Sequence, residues 1–339
     1  MSPGPVGVAS PREYHSARSV PIGCIVALLA LLTVGLRAEP IVIDTAAGEY
    51  DAVIWGPRTM GGAGCCRYLD FGDFNGDGEL DMVATYERRD GPDGDRYGSG
   101  ELFVLFGPIP LSGERDLGVE PPDLTVYGED AEDHLGFYHD VGDLNGDGID
   151  DLVTVALNSD GPGNTRMNAG SAYVFWGGPG FGRGDCDLRT CEADVVIHCP
   201  EERDYCADAR LGDMNGDGVD DLILFAPRGD GPGNSRPSEN DIYVFFGGRV
   251  FPPVIDLAVS SEMVDVYLYG TQGKHAPLPV QPSFVAQDFD RDGFLDLVFY
   301  DPVWGDRGRV VAVHGRCGVA PRGGRGGGGL LVRDPWPVA

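Results

Sequence analysis

The sequence predicts an all-β fold assembled from four like units, and three observations predict it. First, one acidic segment occurs four times: GDFNGDGELDMV at residues 72–83, GDLNGDGIDDLV at 142–153, GDMNGDGVDDLI at 212–223 and QDFDRDGFLDLV at 287–298. Its leading aspartates, Asp73, Asp143, Asp213 and Asp288, stand 70, 70 and 75 residues apart. A period that regular marks one supersecondary unit used repeatedly. Second, apolar and aromatic strand patterns keep step with the segment on both sides. Third, 53 glycines and 26 prolines accompany a hydrophobic fraction of 42%, which fits many short strands and tight turns around a buried core, not a disordered chain.

Each unit opens on a short apolar strand: VIWG ending at Gly56, TVYG at Gly128, VVIH at His198 and YLYG at Gly270. The acidic segment then runs into an apolar stretch, as at residues 152–156 and 222–226. Turn clusters such as DGPGN at 160–164 and 230–234 follow. An aromatic-rich or alternating strand closes the unit: ELFVLFG ending at Gly107, SAYVFWG at Gly177, DIYVFFG at Gly247 and RVVAVHG at Gly315. That makes about four strands per unit, with short connections and no convincing helix. Four-stranded sheets at this period suit the blades of a β-propeller, whereas solenoid repeats are usually shorter. The units cover about residues 41–108, 124–178, 194–248 and 264–315, within a propeller spanning 39–316. Four blades can close a ring, form an incomplete one, or self-associate with another copy to complete it.

The ends of the chain read differently. Arg12 and Arg18 precede an apolar run at residues 22–36, followed by Arg37 and Ala38. This pattern predicts a signal peptide over residues 1–38 and a protein outside the cytoplasm, secreted or at the cell surface. The run is short for a spanning helix, which needs about 20 apolar residues; an uncleaved N-terminal anchor is the competing reading. Residues 317–339 form a Gly-rich tail expected to be disordered. Cysteine usage fits an oxidising compartment: Cys186 with Cys191, and Cys199 with Cys206, are close enough in sequence for two local disulfides. No CxxC pair occurs, which disfavours a zinc site. The net charge of −29 repels nucleic acid and anionic lipid, so neither is expected as a partner.

The acidic segment has the donor pattern of a calcium loop. In DxNxDGxxD, positions 1, 3, 5 and 9 carry side-chain oxygens and position 7 offers a backbone carbonyl. The first loop supplies Asp73, Asn75, Asp77, Glu79 and Asp81; the second Asp143, Asn145, Asp147, Ile149 and Asp151. The third supplies Asp213, Asn215, Asp217, Val219 and Asp221; the fourth Asp288, Asp290, Asp292, Phe294 and Asp296. Hard oxygens at alternating positions wrap Ca2+, and the glycine at position 6 allows the sharp turn. Up to four ions are expected. An EF-hand needs a glutamate at position 12, where this chain has Ala84, Thr154, Leu224 and Phe299.

With these loops and strands in place, the repeat resembles the FG-GAP repeat of integrin α-chain N-terminal domains and of many secreted bacterial proteins. The second copy, residues 125–178, shows the likeness best, and the likeness covers roughly residues 41–316. The resemblance implies that each unit builds a propeller blade, with calcium held in a loop between two of its strands. It also departs from the family. The Phe-Gly element survives only as Leu135-Gly136, and the family's propellers usually have seven blades. The expected function is a calcium-binding adhesion or ligand-recognition module for an extracellular protein or glycan. The alternatives are the non-catalytic repeat portion of a secreted hydrolase or lyase, and a structural spacer of the cell envelope. No GxSxG elbow, HExxH helix or phosphate loop is present, so no enzyme is expected. His134, His139, His198, His275 and His314 do not recur in register and read as ordinary surface or core residues.

Overall fold

A computed structural model describes residues 51–56, 68–110, 112–182, 184–231, 233–235, 240–269, 284–304 and 307–315. The expected signal segment and Gly-rich tail lie outside the described residues, as do Cys65, Cys66 and His275. The chain forms β1 (Ala52–Trp55), β2 (Leu69–Gly72), β3 (Asp81–Tyr86), β4 (Glu101–Leu105), β5 (Gly113–Asp116) and β6 (Leu124–Tyr127). It continues with β7 (Leu135–Gly142), β8 (Asp151–Ala156), β9 (Ser171–Phe175), β10 (Gly184–Asp187), β11 (Val195–His198), β12 (Asp208–Gly212) and β13 (Asp221–Ala226). The last are β14 (Asp241–Phe245), β15 (Val254–Asp256), β16 (Val266–Tyr269), β17 (Phe284–Gln287), β18 (Asp296–Trp304) and β19 (Arg307–Val313).

The strands build small antiparallel sheets, one per acidic segment. The first is the meander β2-β3-β4-β6, the second β7-β8-β9-β11, the third β12-β13-β14-β16 and the fourth β17-β18-β19. A short strand adds in parallel to an outer strand in three places: β5 on β1, β10 on β6 and β15 on β11. The sheet is offset from the sequence repeat, because its outer strand is the apolar strand that opens the next unit. Among the described residues β1 pairs only with β5 and β19 only with β18, so no closed ring is formed.

The sheets stack face on face, which explains why their second and third strands read as nearly continuous apolar runs. β8 and β13 are buried along their whole length, as are β9 and β14. Phe74, Val83, Val104, Leu152 and Tyr173 fill the space between the first and second sheets. Val153, Val155, Leu222, Leu224 and Phe245 fill the next, and Ile223, Phe225, Phe284, Leu297 and Phe299 the third. On the far face of the first sheet, Ile54 of β1 packs against a cluster of Met82, Ala84, Phe103 and Leu105.

Of the two expected disulfides, Cys186–Cys191 is formed. Cys199 and Cys206 are unbridged and buried. Their surroundings are apolar core, and burial pushes the Cys199 thiol up, away from the thiolate that oxidation requires. No helix among the described residues is long and apolar enough to cross a membrane.

Candidate metal centres

Each acidic loop joins the first strand of a sheet to the second, and its geometry follows from short side chains bonding their own backbone. Asp73 Oδ1 accepts from the N–H of Gly76 and Asp77 at 2.8 and 3.1 Å, and its Oδ2 from Gly78 at 2.9 Å. Asp143 holds Gly146, Asp147 and Gly148 in the same way, and Asp213 holds Gly216, Asp217 and Gly218. In the fourth loop Asp288 takes the N–H groups of Arg291, Asp292 and Gly293. The side-chain oxygen at position 3 (Asn75, Asn145, Asn215, Asp290) accepts from the N–H of position 5. The carboxylate at position 5 (Asp77, Asp147, Asp217, Asp292) accepts from position 7, that is Glu79, Ile149, Val219 and Phe294. Position 6 needs a positive φ, and Gly78, Gly148, Gly218 and Gly293 supply it at 85 to 95°.

Position 9 is buried and has a second task. Asp151 Oδ2 accepts from the N–H of Leu144 and Asn145, while its Oδ1 accepts from Gly177 at 2.8 Å. Asp81, Asp221 and Asp296 make the equivalent bonds to Gly107, Gly247 and Gly315. One carboxylate thus pins the loop to the end of the third strand. Burial raises Asp81 and pushes Asp151 and Asp221 up to about 7, despite these backbone donors. A cation beside them would favour the ionised form.

In the fourth loop, oxygens of Asp288, Asp290 and Asp292 lie within 4.8 Å of one another. Asp290 and Asp296 converge with His314, whose Nδ1 stands 3.3 and 3.2 Å from their oxygens. His314 takes the place in the strand pattern held by Phe106, Trp176 and Phe246, so sequence reading passed over it as an ordinary histidine. Its position immediately after β19, beside the position-9 aspartate, was the available signal. Three mutually close carboxylates form a hard, anionic donor set, which suits Ca2+ better than a soft-ligand metal.

Stacked antiparallel sheets, each with an acidic loop of one geometry between its first two strands, define an all-β repeat protein. The FG-GAP repeat family model matches residues 208–245, the third sheet from β12 to the end of β14. The chain therefore carries an FG-GAP repeat. It is also distantly homologous to phosphatidylinositol-glycan-specific phospholipase D of Rattus norvegicus, at 30% identity over 181 residues. That match covers 48% of this chain but only 18% of the relative.

Proposed function

We propose that this protein is a calcium-stabilised, extracytoplasmic β-propeller module that recognises a protein or glycan, and that it is not itself an enzyme. The observation that carries the reading is the repetition of one acidic loop geometry in all four sheets. Calcium in each loop would be held by positions 1, 3, 5 and 9 and by the carbonyl of position 7. It would neutralise carboxylates that otherwise repel one another. The Cys186–Cys191 bond supports an oxidising compartment. That bond borders a cavity of about 390 Å³ whose lining includes Trp176, Phe181, Glu192 and Asp194. Aromatic side chains together with carboxylates suit stacking and hydrogen bonding to a sugar, so this cavity is the candidate recognition surface.

Likeness to a phospholipase D favours a second reading, in which the chain is the non-catalytic repeat portion accompanying a secreted hydrolase. Calorimetric titration of the full chain with calcium, with thermal melts in calcium and in chelator, tests the shared premise. Several bound ions and a melt lowered by at least 10 °C in chelator are expected; no heat and an unchanged melt would remove it.

A further inference from the structure

We infer that the exposed faces of the first and fourth sheets are the two halves of one interface, which joins this chain to a second copy of itself. This rests on reading the sheets as successive blades. Three internal junctions show what such an interface needs. The N–H of loop position 8 donates to the position-1 carbonyl of the preceding loop: Asp150 to Asp73 at 3.2 Å, Asp220 to Asp143 at 3.1 Å and Leu295 to Asp213 at 2.8 Å. The position-7 side chain covers the position-4 glycine of that loop: Ile149 on Gly76, Val219 on Gly146 and Phe294 on Gly216. The position-2 side chain is buried beneath the following sheet, with Phe74 and Leu144 at 0% and Met214 at 6% exposed.

The outer ends carry the same parts without their counterparts. Phe289, at position 2 of the fourth loop, is 50% exposed, and Leu80, at position 8 of the first, is 61% exposed. On the face that the third sheet buries with Ile242, the fourth sheet exposes Val310 at 68%. Charge distinguishes this junction from the internal ones. Its position-4 residue is Arg291 and its position-7 residue is Glu79, both exposed, so an ion pair would replace apolar cover over glycine.

The strand edges are complementary as well. β6, β11 and β16 each lie antiparallel to a third strand, in the register Glu101↔Tyr127, Ser171↔His198 and Asp241↔Tyr269. β1 is the equivalent outer strand, docked on the first sheet through Ile54 and β5 but, among the described residues, without an antiparallel neighbour. β19 is the equivalent third strand, and among the described residues no strand lies beyond it. Copying the common register pairs Arg309 with Trp55 and Val310 with Ile54. Leu80, Phe289 and Val310 stay exposed within one chain, whereas a second copy offers both halves at once. Two chains related by a two-fold axis would each complete the other's fourth sheet, and the assembly would close.

Sedimentation of the full chain in calcium should give the mass of two chains. Val310→Asp and Phe289→Asp, at sites exposed in the single chain, should weaken association at least tenfold without lowering the melt of the monomer. Glu79→Arg and Arg291→Glu should each weaken it, and the double swap should restore it. A monomer at all concentrations would overturn the inference, as would a dimer that none of these substitutions disturbs. Calcium calorimetry on the same samples keeps the two ideas apart: a monomer that still binds several ions loses only the interface, and one that binds none loses the repeat reading too.

Discussion

Asp221 and Asp217 stand four residues apart in one loop, and the structure gives them different work. Asp221 is 0% exposed and holds the buried N–H groups of Met214, Asn215 and Gly247. Asp217 sits at the exposed rim, where its Oδ1 accepts from Val219 at 3.0 Å. Leaving several buried donors unpaired costs about 3 kcal/mol. Asp221→Ala should therefore lower the melt even in chelator. Asp217→Ala should leave the chelated protein nearly unchanged and remove one site from the calcium titration. Both aspartates were legible as acidic-loop residues from spacing alone. The anchoring task of position 9 was not, because its partner glycine lies 26 residues further along the chain.

At the scale of the element, glycines separate close packing from turn strain. Gly170 has φ +83°, and a Cβ there would collide with the backbone N of Cys206. Gly78 has φ +85° with open space around it. Gly78→Ala should cost about 1–2 kcal/mol, the strain of the left-handed backbone alone. Gly170→Ala adds a backbone clash and should cost more than Gly78→Ala, or prevent folding; denaturant melts of the two variants compare them directly. The meander strands were legible because β-branched and aromatic residues recur at strand spacing. β5, β10 and β15 were not, since GERD, GDCD and VID are only three or four residues long and the first two are largely polar. Backbone pairing to an outer strand, not apolar patterning, makes them strands.

Over the whole molecule, the first strands of three successive sheets bring a buried charge cluster together. Asp70 of β2, His139 and Asp140 of β7, and Asp208 and Arg210 of β12 come from distant parts of the chain. Arg210 stands 3.3 Å from Asp208 and lies over the ring of Tyr138 at 4.9 Å. Burial pushes Asp70 and Asp208 up to about 7 and His139 down to about 3. For the two aspartates, the folded state holds protons that the unfolded chain releases near 3.8. Their stabilising contribution is complete below pH 4 and lost as pH rises through 7. His139 acts oppositely, its contribution being present above pH 6.5 and lost as pH falls through 3. Two groups outweigh one between pH 8 and 5, so the chelated protein should melt higher at pH 5 than at pH 8. Asp70→Asn should flatten that slope by about one proton, read from melts across the pH series. A melt in chelator that rises from pH 5 to 8 would contradict this account of the cluster.

By itself the sequence determined the four acidic loops, their recurring spacing and most of the strands around them. Those features are local: period-2 apolar patterning, turn glycines and carboxylates spaced two apart act within a dozen residues. Only the tertiary structure decided where one sheet ends and the next begins, since β6, β11 and β16 pair backwards to the preceding unit. It also decided that Cys199 and Cys206 are buried neighbours with no bond between them, and that His314 faces Asp290 and Asp296. The charge cluster on β2, β7 and β12 and the exposed faces carrying Phe289 and Leu80 likewise follow from stacking. Contacts between residues some 70 positions apart depend on how whole sheets pack, and no local pattern in the chain encodes that.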